Sequence, residues 1–290
     1  MWAARVEELI TPRTTGIMGV HLWGRGCDVE ELARIVREHD LKLLFDAAHA
    51  FGCSHEGRMI GNFGGAEVFS FHATKFLNTL EGGAITTNDD ELMSRIRLMK
   101  NFGFAGQDNV IYAGTNGKMN ELSAAMGLTS LENMDEFIAV NRDNYERYRK
   151  GLEDVPGVRL MEYDSAERLN YQYVVLELDR TATQLTRDEL VKVLWAENVV
   201  ARRYFYPGCH RMEPYRSNQA HVDWGSRLPE TISLSERLIT LPTGTAVGPE
   251  QVEKICDILR AATQHGAKAR EWLSEQETEL TGSGTDPEVR

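Results

Sequence analysis

The sequence predicts an α/β protein: a large domain on a mostly parallel sheet, followed by a smaller α+β domain. Three observations predict it. Short continuous apolar runs recur at Leu41 to Phe45, Glu67 to Phe71 and Gly83 to Thr87, and such runs mark strands buried on both faces. Helical patterns alternate with them, which is strand–helix–strand connectivity. Beyond Val158 the pattern changes to shorter alternating strands. The expected division is 1–140 for the large domain, 141–265 for the small one and 266–290 for a disordered tail.

Taken in order, Trp2 to Ile10 has helical spacing and stops before Thr11-Pro12. Ile17 to Leu22 is expected to be a strand, and Asp28 to cap a helix that carries Leu32, Ile35 and Val36 on one face. The strand Leu41 to Phe45 then delivers Asp46 at its C-terminal edge. The strand Glu67 to Phe71 is followed by His72, Thr74 and Lys75, and the strand Gly83 to Thr87 begins at the Gly82-Gly83 pair. Asp90 to Asn101 is a helical pattern, and Gly103 to Gly117 a glycine-spaced loop. Apolar residues at Leu122, Met126, Leu131, Met134 and Ile138 predict a long helix or helix pair over Glu121 to Glu153. In the small domain Tyr171 to Leu178 and Val199 to Tyr206 are expected strands. Thr186 to Asn198 is a helix capped by Thr186, with Glu189 three residues on. Segments Ser233 to Leu238 and Pro249 to Thr263 complete the domain. The final stretch is polar and aperiodic, hence the expected tail.

Composition excludes several classes of function. The chain has 290 residues, 42% hydrophobic and 26% charged, with a net charge of −12. That balance argues against nucleic acid or an anionic membrane as a principal partner, while leaving room for a local basic pocket. Cys27, Cys53, Cys209 and Cys256 show no CxxC spacing, which suits a reducing cytoplasm. No apolar run approaches membrane-spanning length.

Ligands of open α/β sheets bind outside the carboxyl ends of the strands, so Asp46 and Lys75 are expected to converge in one crevice. Pyridoxal phosphate is one ligand that uses such a pair. Its aldehyde takes a lysine amine and its pyridine nitrogen takes an acid. Taken singly, a strand-end aspartate is as readily a helix cap and a lone lysine a solvated charge. A metal set of Asp46, His49, Cys53 and His55 has no standard ligand spacing and leaves Lys75 and Ser70 without a role.

The runs DAAHAFG, FSFHATK and EGGAITTND, in that order, resemble the DegT/DnrJ/EryC1/StrS sugar aminotransferases, fold type I pyridoxal-phosphate enzymes. The resemblance covers about Trp2 to Ala262. It implies that Lys75 is the Schiff-base lysine and proton shuttle, and that Asp46 partners the pyridinium nitrogen. Ala48 would lie beneath the ring, and His49, where many relatives have glutamine, would contact the ring or its phenolic oxygen. Ser70 would hydrogen-bond the phosphate, and Asn116 would reach across a homodimer interface to the neighbour's cofactor phosphate. Read without the family, Asn116-Gly117 is a tight turn. Relatives with histidine in place of the lysine catalyse dehydration, so Lys75 points to transamination.

The stretches VHLWG and RRYFYPGCHRMEPYRS resemble members that aminate position 4 of a thymidine-diphosphate-linked 4-keto-6-deoxyhexose, with glutamate as the expected donor. Arg202, Arg203, Tyr206 and His210 are candidate contacts for diphosphate or sugar, though arginines alternating on a strand are as often a solvated face. Family members begin with further strands, a Gly-Thr phosphate loop and a ring-stacking aromatic residue. The resemblance therefore implies an N-terminally truncated large domain, with unpaired strand edges near Ile17 to Leu22 and Gly83 to Thr87. The alternative expectation is a catalytically impaired fragment or a non-enzymatic partner subunit of such an enzyme.

Overall fold

Strand β2 (Lys42–Asp46) sits inside the sheet that organises the first unit. Alternation along it turns Leu43 and Phe45 to one face, leaving Leu44 and Asp46 on the other. In the computed structural model, residues 3–218 and 222–282 are described. They fall into two units: Met1–Asn141 with Tyr163–Gln172, and Arg142–Glu162 with Tyr173–Arg290.

In the first unit β1 (Gly16–Val20), β2, β5 (Ala66–Ser70) and β6 (Gly83–Thr86) form a four-stranded sheet in the order β1-β2-β5-β6. The first two pairings are parallel and the last is antiparallel. The register sets Val20 beside Asp46, Asp46 beside Val68 and Ser70 beside Gly83, so β1 and β2 end together while β5 runs two residues further, to the start of β6. Helix α1 (Val29–Glu38) starts where Asp28 accepts the Glu31 backbone N–H. Its buried Leu32 and Ile35 pack with Ile17, Leu43 and Phe45. A small hairpin, β3 (Ser54–His55) with β4 (Arg58–Met59), lies between β2 and β5 in sequence.

The other face of this sheet is open. Met18 is 56% exposed, Val68 39% and Ile85 42%, which is unusual for apolar residues grouped on one side of a mostly parallel sheet. Among the described residues β1 and β6 each have a single strand neighbour, so both expected edges are present. Helices α2 (Asp90–Met99) and α3 (Glu121–Glu132) follow, and α4 (Met134–Leu152) carries the chain into the second unit.

The second unit holds an antiparallel sheet β7-β8-β9 (Val158–Leu160, Val174–Leu178, Leu238–Leu241). Its core is built from Tyr148, Leu176, Leu178, Leu190, Leu194, Ile239 and Leu259. Short helices α5 (Arg180–Thr183), α7 (Tyr215–Asn218), α8 (Trp224–Arg227) and α9 (Pro229–Ser235) accompany α6 (Arg187–Ala196) and α10 (Pro249–Gln264). Thr186 and Glu189 form the expected capping box of α6.

Two expectations are corrected. Val199 to Tyr206 is not a strand. Val199 and Ala201 are buried in the core, only Arg202 bridges to Thr240, and the Tyr206 N–H closes a turn on the Arg203 carbonyl at 2.8 Å. Nor does disorder begin at 266, because α11 (Gly266–Gly282) continues the chain as helix. Buried Leu273 and the 2.9 Å ion pair from Arg270 to Glu189 dock that helix. Residues 283–290 of the expected tail lie outside the described residues. Among the described residues no helix is long and apolar enough to cross a membrane.

Candidate active site

Asp46, Ala48, His49, Ser70 and Lys75 all come from the strand ends and following turns of the first unit. Backbone bonds fix the exit of β2. Ala47 donates to the Val68 carbonyl at 2.8 Å, and His21 donates to the Asp46 carbonyl at 2.9 Å. One Asp46 oxygen, Oδ1, accepts the Ala48 backbone N–H at 2.9 Å. The carboxylate makes no other hydrogen bond among the described residues.

A cavity of about 290 Å³ opens on the exposed sheet face, lined by Met18, Leu44, Val68, Phe69, Asp46, Ala48 and Ser70. Its floor is apolar strand surface, and its polar groups are the Asp46 carboxylate and the Ser70 hydroxyl. A flat aromatic ring with a basic nitrogen and an anionic substituent matches that donor set. The residues present therefore fit the pyridine ring of pyridoxal phosphate.

Lys75 lies on a compact loop. Its N–H donates to the His72 carbonyl at 2.9 Å, while Thr79 N–H to Phe71 O and Phe71 N–H to Gly82 O, each 2.9 Å, close the loop's neck. Gly82 is required there: at φ +154° an added Cβ would stand 2.4 Å from Thr79 Oγ1. Lys75 is half-buried, and loss of hydration holds its ammonium below the usual lysine range of 10.5, an effect opposed by the nearby Asp46 carboxylate. The Asp46 carboxylate is thus near enough for its charge to act on Lys75.

His49 joins the same group. Burial first, and the Lys75 charge second, push its pKa down to about 3, so it is neutral at physiological pH. Its Nδ1 accepts the Trp23 N–H at 3.3 Å, which leaves Nε2 as the proton-bearing nitrogen. Residues far away in sequence hold it. Asn170, fully buried, donates to the carbonyls of His49 at 3.0 Å and Phe51 at 3.1 Å. Tyr163 donates to the Trp23 carbonyl at 2.9 Å, and Gln172 to the carbonyl of Thr74 at 3.3 Å. Sequence reasoning missed Asn170, Tyr163 and Gln172, because a partner more than ninety residues away leaves no spacing signal.

Asn116 does not share these contacts. It is exposed on the glycine-spaced loop and forms an isolated antiparallel bridge with Asn101. In the second unit Arg203 lies over the Tyr206 ring at 5.0 Å and pairs with Asp188 at 3.3 Å. Arg202 is exposed, and His210 is buried with Nε2 unpaired among the described residues.

Residues 1–260 match the DegT/DnrJ/EryC1/StrS aminotransferase family. The chain is 36% identical over 260 residues to dTDP-4-amino-4,6-dideoxy-D-glucose transaminase of Shigella dysenteriae, a match covering 88% of this chain and 68% of that relative. It also superposes on the crystal structure of DesI in the presence of its TDP-sugar product with a TM-score of 0.86 and 46% identity, covering 95% of this chain and 68% of that one. Spr1654 of Streptococcus pneumoniae, solved in a PLP form, shares the fold at a TM-score of 0.82 and 20% identity, covering 91% of this chain and 72% of its own.

Proposed function

Because the chain belongs to the DegT/DnrJ/EryC1/StrS family of PLP-dependent sugar aminotransferases, we propose that it aminates a nucleotide-diphosphate-linked keto-deoxysugar, using pyridoxal phosphate and glutamate. The specific reading is position 4 of thymidine-diphosphate-4-keto-6-deoxyglucose. The observation that carries the proposal is the electrostatic grouping of Asp46, His49 and Lys75 beside the cavity at the carboxyl ends of β2 and β5.

Pyridoxal phosphate, when bound, supplies an aldehyde for amines and an electron sink for the carbon that loses a proton. The protein's residues do the rest. Asp46 would hold a proton on the pyridine nitrogen. Lys75, whose amine is freed at lower pH than an ordinary lysine's, would hold the cofactor's aldehyde and supply the amine that carries protons during transfer. His49, neutral at physiological pH, would contact the ring or its phenolic oxygen. Ala48 leaves room for a ring to lie against the strand ends, and Ser70 donates to the phosphate. Asn116, exposed on its loop, is assigned to the phosphate of a second copy, which makes the working unit a homodimer with shared sites.

The test is amination itself. Purified protein with pyridoxal phosphate, glutamate and the thymidine-diphosphate keto sugar should yield the 4-amino sugar, detected by mass spectrometry. Absence of product when a verified sugar aminotransferase works in the same mixture would defeat the substrate assignment.

A second reading is favoured by the open sheet face of Met18, Val68 and Ile85 and the edges of β1 and β6. In it the chain is one part of such an enzyme and is impaired until another polypeptide segment covers that face. Unpaired edges are templates for association, so this reading expects the isolated chain to aggregate and to gain solubility and activity together when the covering segment is supplied. A monodisperse, fully active isolated chain would rule it out.

A further inference from the structure

On the sheet face opposite the cavity lies a polar pair that the proposed chemistry does not use. His21 and Glu67 are both fully buried, and His21 Nε2 is 3.0 Å from Glu67 Oε1. Each remaining polar atom of the pair is engaged. His21 Nδ1 accepts the Cys27 N–H at 3.2 Å, so Nε2 must be the nitrogen that donates to Glu67. Glu67 Oε2 accepts the backbone N–H groups of Gly61 at 2.5 Å and Phe63 at 2.8 Å. Three donors thus converge on one carboxylate. An amide in its place would turn its own donors toward one of them.

The pair's position gives this arrangement a use. The His21 ring stacks on Phe45 with centroids 4.8 Å apart, and the His21 backbone N–H holds the Asp46 carbonyl. In the parallel register Glu67 is the partner of Phe45, and Val68 the partner of Asp46. The pair therefore ties the exit of β1 and the first half of β5 to β2 from beneath, at the residue before Asp46 and at Asp46 itself. We propose that His21 and Glu67 are a positioning pair that fixes the Asp46 carboxylate at the cavity floor, stapling β1 and β5 to the end of β2 from the opposite face of the sheet.

This rests on the reading of Asp46 as the acid of the site, and the test separates the two. In the cofactor-free protein, hydrogen exchange over residues 46–48 reports the placement of Asp46, because the Ala48 N–H bonds its Oδ1 and the Ala47 N–H bonds Val68. Glu67→Gln should raise exchange there by about tenfold, roughly the loss of one hydrogen bond's worth of protection. The conservative His21→Gln, made with Glu67 intact, keeps a donor for Glu67 and an acceptor for Cys27 and should raise exchange there far less. In the loaded protein Glu67→Gln should slow amine transfer from glutamate by about tenfold while cofactor affinity changes little. Added to Asp46→Asn, it should slow the reaction no further, since the pair acts only through Asp46. If Glu67→Gln does not fold, His21→Leu, which removes the donor to Glu67 and so breaks the same contact, carries the same expectations. Unchanged exchange at 46–48, or losses that add in the double variant, would overturn the inference. Failure of wild-type protein to take pyridoxal phosphate on Lys75 would instead remove the reading on which it rests, leaving the exchange result to stand by itself.

Discussion

Asn170→Ala should destabilise the first unit far more than an average polar substitution. The Asn170 side chain is fully buried, donates to the carbonyls of His49 and Phe51, and accepts the Gln172 N–H at 3.1 Å. Alanine removes three hydrogen bonds at once and strands two carbonyls and an N–H in the interior. At about 1 kcal/mol for each bond, the loss is about 3 kcal/mol. For a unit of this size that corresponds to a fall of roughly 6–12 °C in melting temperature. Asn170→Asp should be at least as damaging, because it sets carboxylate oxygens against two carbonyl oxygens. Scanning calorimetry of the three proteins checks this. A shift below about 2 °C for Asn170→Ala would refute the claim that this residue clamps the segment carrying His49.

Asp46→Asn should still bind pyridoxal phosphate but slow the glutamate half-reaction by about a hundredfold, the usual scale for losing a charge-stabilising group; equal rates would reduce Asp46 to its hydrogen bond with Ala48. Lys75 should react with an amine-directed acylating reagent at lower pH than the other lysines, since burial disfavours its ammonium, and Asp46→Asn should shift its reactivity to lower pH still. By linkage, between Lys75's lowered value and 10.5 the unfolded chain binds the extra proton, so this group's contribution to stability rises with pH across that window; a Lys75→Met variant should show a flatter profile there. Asn116→Ala should weaken cofactor binding in a homodimer by about tenfold, as expected for one hydrogen bond to a phosphate. Titration together with light scattering tests this, and a monomer that binds normally would contradict the shared site.

The strands that precede Asp46's and Lys75's turns, β2 and β5, were legible because each is a continuous apolar run, the signature of a strand buried in a mostly parallel sheet. The Asp28 cap and the Thr186–Glu189 capping box were legible because the interaction is local. What holds His49 was not, since Asn170 reaches it across 121 residues. The buried His21–Glu67 pair was hidden for a related reason: a glutamate inside an apolar run reads as an exception until its donors from His21, Gly61 and Phe63 are seen around it. Val199 to Tyr206 imitates a strand because Val199 and Ala201 alternate into the core, but backbone pairing stops at Arg202. The α11 helix lacks a strong apolar stripe in sequence; Leu273, Ala269 and the bonds of Arg270 to Glu189 and the Gln184 carbonyl dock it.

The central claim is that Lys75, facing Asp46 and His49, is where the cofactor attaches. Borohydride reduction of the protein equilibrated with pyridoxal phosphate, followed by peptide mass mapping, tests it most directly. The account predicts a single reduced pyridoxyl adduct on Lys75, lost in Lys75→Ala; an adduct on other lysines with Lys75 unmodified would contradict it.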